Sequence, residues 1–394
     1  MLYSIQKHTI PIFLISTLFF PKLPAIAGSI TLPDGGQCEG ELQNGQLEGS
    51  GTCNYANGDR YEGEFQAGKP HGSGKYSFAQ GGYYEGEFQS GQFHGEGIRE
   101  FDGGTRYEGE FENGKFHGRG VYITANGGQY EGEFREGEPV GEGVYTFASG
   151  TRCEGELIDG QITGQAVCNY ANGNRYEGNL TDSVPDGEGV YIFTDGGQYE
   201  GEFIDGKMEG EGIREFPSGD RYEGEFIDGK PHDRGRYEFK DGGYYEGEFR
   251  NGQFHGTGVR EFANGNRYEG EFVEGRPQGE GVYTFANGSV YEGEFQDGKF
   301  HGEGVYTFAS GNRYQGEFDR GNLEGEGTYI FANGDRCQGE VSGGEFQGKA
   351  ECTYANGDRY IGGFEKGKKH GDGVYIYADG TRIEGTWERG ELKN

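Results

Sequence analysis

The chain has 394 residues, 83 of them glycine, and a formal net charge of −32 at pH 7 from 67 acidic and 35 basic side chains. That balance argues against nucleic acid as a partner, because phosphate binding needs clustered lysine and arginine, and against direct binding to an anionic membrane. So much glycine leaves low complexity or a regular repeat, and 28 tyrosines with 29 phenylalanines favour the repeat, since disordered chains are poor in aromatic residues.

Residues 1–27 have the layout of a secretory signal: a weakly basic start (Lys7, His8), the apolar run "IPIFLISTLFF" and the small-residue "AIA" at 25–27. The run is too short for a stable bilayer anchor. A cut after about Ala27 removes Lys7 and Lys22, which takes the formal charge from −32 to −34, and places the protein in a periplasm or outside the cell. The residue at the cut is Gly28 rather than cysteine, so nothing suggests lipid attachment. Residues 28–37, "GSITLPDGGQ", fit the last part of a repeat and read as an N-terminal half-repeat cap.

From residue 38 to residue 382 the chain repeats every 23 residues, fifteen times, with no insertion or deletion, and a partial copy, "IEGTWERGELKN", occupies 383–394. Most repeats open on Tyr-Glu-Gly-Glu-Phe. The strict alternation puts the rings on one face of a strand and the glutamates on the other. A second alternating stretch follows, as in "VYTF" (144–147). Between the two lie stretches such as "GKFHG", and after them "ANG" or "DGG", which are expected to be turns because glycine accepts positive φ. Each repeat is therefore expected to be one β-hairpin. The fold class is all-β: an elongated, single-layer, twisted antiparallel sheet of hairpin repeats, on the order of 140 Å long at about 4.8 Å per strand.

The segment "YEGEFQDGKFHGEGVYTFASGNR" (291–313) resembles the MORN (membrane occupation and recognition nexus) repeat in its Tyr-x-Gly opening, its Gly-x-Gly second strand and its length. The resemblance covers most of the chain and looks like the secreted bacterial type. It implies a single-layer sheet with an aromatic-lined groove, used in scaffolding and protein–protein contact and in some members with membranes. It implies no enzymatic activity, since enzymes with these repeats carry a separate catalytic domain. No cofactor is expected.

Seven histidines (71, 94, 117, 232, 255, 301 and 370) share one repeat position. Neighbouring copies lie roughly 10 Å apart, two strand spacings, whereas zinc ligands lie about 2 Å from the metal. A ring that packs or hydrogen-bonds in each hairpin also explains its replacement by Val140, Glu209 or Gln278. The glutamate pairs, such as Glu62 with Glu64 and Glu131 with Glu133, often follow an arginine (Arg60, Arg106, Arg267, Arg313) on the same face. A flat solvated ladder offers no cleft to drive two carboxyl pKa values apart, which leaves solubility or weak calcium binding.

On the other face stand Tyr61, Phe65, Tyr107, Phe111, Tyr130, Phe134, Tyr145, Phe147, Tyr268, Phe272, Tyr291, Phe295, Tyr306, Phe308 and their equivalents. An open row of such rings exceeds the apolar patches monomers tolerate, although curling and rings laid over the strand glycines hide part of it. Either the rings pack on one another, or they form a groove for a peptide, a second copy of the chain or a glycan.

The six cysteines fall in three pairs, Cys38 with Cys53, Cys153 with Cys168 and Cys337 with Cys352, each at the first and sixteenth positions of one repeat. No repeat is half-substituted, so the two positions are expected to touch across the hairpin and form disulfides. Zinc is the rival, but Glu48, Thr163 and Gln347 replace the histidine in these three repeats. The leading functional reading is a secreted, non-enzymatic scaffold that contacts an unidentified protein partner or itself. The alternatives are a module binding cell-surface polysaccharide on the rings or calcium on the acidic face, or a membrane-associated member of the family.

Overall fold

The computed structural model describes residues 26–158 and 160–393; most of the expected signal segment, residues 1–25, lies outside them. Thirty-three strands and no helix occur among the described residues, so no helix there is long and apolar enough to cross a membrane. The chain divides into two compact units, residues 1–148 and 149–394. In the first, eleven strands run from Ile26–Thr31 to Glu138–Thr146, each antiparallel to the next. In the second, the strands from Arg152–Ile158 to Glu391–Lys393 follow the same rule.

Repeat 291–313 shows why each repeat makes a hairpin. Its strands are Val290–Gln296 and Lys299–Thr307. Asp297 (φ 49°) and Gly298 (φ 77°) form the two-residue turn, and two left-handed residues give the turn whose twist matches antiparallel strands. Tyr291 pairs with Tyr306 and Gly293 with Gly304, after which the register jumps and Glu294 pairs with His301. The two residues skipped inside the hairpin, Gly302 and Glu303, pair with Phe318 and Glu317 of the next repeat. This is a β-bulge, and the left-handed φ of 56° at Gly302 explains the glycine.

The bulge corrects one expectation. Of "GKFHG" only the first glycine lies in the turn, and the other four residues belong to the second strand. At alternate positions Gly302 and Gly304 leave no side chain between Phe300 and Tyr306, so that half of the strand reads as turn chemistry rather than as alternation. The next turn closes from Phe308 to Asn312, with Gly311 at φ 88°. Successive hairpins are tied again at their tips, where the Gly321 N–H donates to the Phe300 carbonyl at 2.9 Å.

At the start, β1 (Ile26–Thr31) pairs with β2 (Gln37–Gln43), Ile26 facing Leu42 and Gly28 facing Gly40. A cut after Ala27 leaves Gly28–Thr31 of that strand in place. The core in each compact unit is the ring face: the tyrosine that opens the repeat is 0% exposed at Tyr61, Tyr199 and Tyr291, and the phenylalanine four residues later is similarly buried.

Candidate interaction surface

Positions are counted from the opening tyrosine or cysteine of each 23-residue repeat. The glycines at positions 3 and 14 make the burial of this tyrosine possible. Its ring lies down over them: a Cβ added at Gly304 would meet Tyr291 Oη at 2.6 Å and Cε2 at 2.7 Å. The hydroxyl, carried into the bulge, donates to the Glu294 carbonyl at 2.9 Å and the His301 carbonyl at 3.2 Å. Where position 5 is phenylalanine in both repeats, the tyrosine also meets two of them edge-on, its own and that of the next repeat, as Tyr222 meets Phe226 at 5.1 Å and Phe249 at 4.8 Å. Such pairs add about 0.5–1.5 kcal/mol each beyond area burial. Ten of the fourteen expected surface rings, from Tyr61 and Phe65 to Tyr291 and Phe295, therefore form a closed inner layer rather than an open groove.

The remaining four, Tyr145, Phe147, Tyr306 and Phe308, belong to an outer row that stays half-exposed. It is built from positions 10, 16 and 18, with contacts such as Tyr306 to Phe308 at 4.5 Å and Phe308 to Tyr329 at 5.8 Å. Phe331 and Tyr377 are its most open members, at 37% and 41% exposed. Three repeats place an arginine at position 16, and Arg99, Arg214 and Arg260 lay their guanidinium groups 3.3–3.7 Å from the rings of Phe78, Phe193 and Phe239. Burial lowers the pKa of all three.

In several repeats a polar latch fixes the tyrosine of this row to the preceding repeat. Asp220, at position 22, accepts the Lys240 N–H at 2.9 Å and the Tyr237 hydroxyl at 3.0 Å, both from the following repeat. Asn266 does the same work with reversed polarity, accepting the Ala286 N–H and donating to the Tyr283 hydroxyl at 2.8 Å. The backbone hydrogen bond from Lys240, and after it the Ser218 and Tyr237 hydroxyls, hold the Asp220 carboxyl below the usual aspartate range. Burial and the Asp220 carboxylate push Tyr237 up to about 12. A depressed carboxyl stabilises the fold above its unfolded pKa, about 3.9, and that contribution is lost as pH falls through the folded value. Asp220→Asn should therefore melt like the wild type near pH 7 and lose less stability below about pH 4; parallel melts across that range are the check, and identical acid profiles would exclude the latch as a titrating element.

On the opposite face the glutamates divide into two roles. Position 2 pairs with the arginine two residues before it, as in Arg60–Glu62 and Arg267–Glu269, both at 2.7 Å and well exposed; such pairs contribute little. Position 4 folds back over the bulge, where Glu248 accepts the Thr257 N–H at 3.2 Å and Glu110 accepts the Arg119 N–H at 3.1 Å. Across the sheet Glu211 stands directly opposite Glu225, whose carboxyl burial and then Glu211 push up. Among the described residues no group of three His, Cys, Asp or Glu side chains is placed to hold a metal ion. The histidines sit half-buried beside position-6 carboxylates in several repeats, His117 Nδ1 at 3.4 Å from Glu112 and His370 Nε2 at 3.3 Å from Glu365.

The three cysteine pairs face one another in register and are bonded: Cys38–Cys53, Cys153–Cys168 and Cys337–Cys352. Their repeats differ elsewhere too. With no tyrosine ring to lie over position 14, that position is alanine in two of them, Ala166 and Ala350, and the position-10 side chains turn inward: Leu47 and Ile162 are 1% exposed and Phe346 9%. Ile162 Cγ2 fills the space over Gly155 that a ring occupies in other repeats.

The MORN repeat profile matches fifteen consecutive segments, from 38–60 to 360–382, without a gap. No curated protein matches the chain. Among solved structures, the TCP domain of Drosophila melanogaster SAS-4 (dCPAP), in complex with a proline-rich motif of Ana2, is similar at 14% identity over 44% of this chain and 88% of that one, with a TM-score of 0.27. The TCP10 domain of Danio rerio CPAP, with a STIL peptide, is similar at 13% identity over 68% and 98%, with a TM-score of 0.22.

Proposed function

The chain belongs to the MORN-repeat family, and from that premise we propose that it is a non-enzymatic scaffold that presents its outer aromatic row to a protein partner. The half-exposure of that row is the observation that carries the reading. Its rings rest on a buried tyrosine–phenylalanine layer, and several of its tyrosines, among them Tyr329 and Tyr375 beside Phe331 and Tyr377, are latched from the preceding repeat, so little side-chain entropy remains to be lost there on binding. Aromatic anchors of this kind dominate protein contacts.

Three disulfides belong to an oxidising compartment. With the targeting layout of residues 1–27, they support export to a periplasm or the cell exterior. In four repeats the position-4 glutamate is already engaged with a bulge amide, which disfavours the calcium alternative there. A glycan would use the same outer rings, so binding assays need both arms. Phe331→Ser with Tyr377→Ser should leave the β-sheet circular dichroism unchanged and reduce partner capture from native envelope and medium at least about tenfold, the effect of losing about 1.4 kcal/mol at the contact. Equal capture by wild type and variant would refute the outer row as the contact. Binding to isolated polysaccharide but to no protein would favour the glycan.

A further inference from the structure

Position 6, the last residue before the hairpin turn, shares a face with the glutamates and is polar at Gln66, Gln89 and Glu112, and again at Gln296, Asp319 and Ser342. In the six consecutive repeats between those groups that lie in the second compact unit it reads Ile158, Thr181, Ile204, Ile227, Arg250, Val273. The four aliphatic side chains are 49%, 51%, 43% and 45% exposed, and Val184, paired with Thr181 across its turn, is 41% exposed. Single exposed aliphatic residues need no explanation. Their concentration at one repeat position, in neighbouring repeats, does.

The order of these residues is the same from either end: aliphatic, polar, aliphatic, aliphatic, polar, aliphatic. We infer that this strip is the contact between two copies of the chain, laid antiparallel about a two-fold axis passing between Ile204 and Ile227. That operator sets Ile204 of one copy against Ile227 of the other and Ile158 against Val273, so every aliphatic residue meets another and Thr181 meets the stem of Arg250. A contact of this type is self-complementary by symmetry.

The charges at the turns fit the same axis. Asp205 and Lys230 are in no salt bridge among the described residues, whereas their neighbours Lys207 and Asp228 are paired at 2.5 Å. Asp205 lies in the repeat of Ile204 and Lys230 in that of Ile227, so the two-fold brings Asp205 of each copy to Lys230 of the other. The strip spans five repeat intervals, roughly 48 Å at two strand spacings each. With its flanking turns, a band about 15 Å wide presents roughly 700 Å² per copy, close to a standard interface of about 800 Å² per partner. It lies on the face opposite the outer aromatic row and goes beyond the function proposed for that row.

Sedimentation of the full mature chain over a concentration series should show a monomer–dimer equilibrium, and Ile204→Asp with Ile227→Asp should abolish it while the circular dichroism is retained. A second test does not depend on the charged variants folding. Ile204→Cys and Ile227→Cys chains mixed under mild oxidation should give at least about tenfold more cross-linked dimer than either alone, because a mismatch of one repeat, roughly 10 Å, exceeds the Cα separation a disulfide tolerates, about 7 Å. A monomer at every concentration, or equal cross-linking by either variant alone, overturns the inference. Partner capture through Phe331 and Tyr377 is measured separately and stands or falls independently of either result.

Discussion

Gly304→Ala is expected to destabilise its repeat by about 3 kcal/mol although it adds a single methyl group. Gly304 is not in the left-handed region, so the backbone accepts alanine; the obstacle is the Tyr291 ring, 2.6–2.8 Å from the new Cβ at three of its atoms. Either the ring lifts, losing the hydrogen bonds to the Glu294 and His301 carbonyls and its edge contacts with Phe295 and Phe318, or the strand shifts. Overpacking of this kind costs about 1–3 kcal/mol, and each lost hydrogen bond adds about 1 kcal/mol. Because repeats are stabilised by their neighbours, the loss should be local. Hydrogen exchange should accelerate in 291–313 and the two adjoining repeats, with distant repeats unchanged. The control is Ala350→Gly at the same position of a disulfide-bonded repeat, where no ring is displaced and the cost is only the backbone entropy of glycine, about 0.5–1 kcal/mol. If Gly304→Ala exchanges like the wild type, the tyrosine does not lie over the glycine.

Much of the hairpin plan is legible in the sequence because it rests on local chemistry. Alternation in "YEGEF" gives the strand, the residue-glycine pair at the hairpin tip gives its turn, and the joint substitution of positions 1 and 16 by cysteine gives the register between the two strands. What escapes depends on residues brought together by the bulge. It sends the tyrosine hydroxyl to backbone carbonyls three and ten residues away, and it gives the position-4 glutamate a bulge amide nine residues on, so a side chain resembling a solvated charge has a structural partner. The latch at position 22 reaches 17 and 20 residues ahead, a distance no period of two displays. The division of the rings into a buried inner layer and a half-exposed outer row follows from the same geometry. One sign of it does stand in the sequence: position 14 is glycine wherever position 1 is tyrosine and becomes Ala166 or Ala350 only where position 1 is cysteine.

That covariation leads to the second large expected effect, in the repeat closed by Cys337 and Cys352. Replacing the pair by serines removes a link between residues fifteen apart and should cost about 3 kcal/mol on the chain-entropy account. Cys337→Tyr with Cys352→Tyr restores the residues found in most repeats, yet it should cost more than the serine pair, because the Ala350 methyl occupies the place where the ring must lie. Adding Ala350→Gly clears that place. Phe346 already stands at position 10, where Phe93, Phe116, Phe254 and Phe300 stack on their tyrosines at 3.9 Å, and Asp335 is placed to accept the new hydroxyl at position 16, as Asp220 accepts that of Tyr237. The triple variant should therefore recover most of the loss and, unlike the wild type, show no reductant dependence at this repeat. Local exchange in 337–359 with and without reductant separates the outcomes. If Ala350→Gly brings no recovery, the ring pair and the disulfide are not alternative ways of closing the same hairpin, and the shared register of positions 1 and 16 would need another cause.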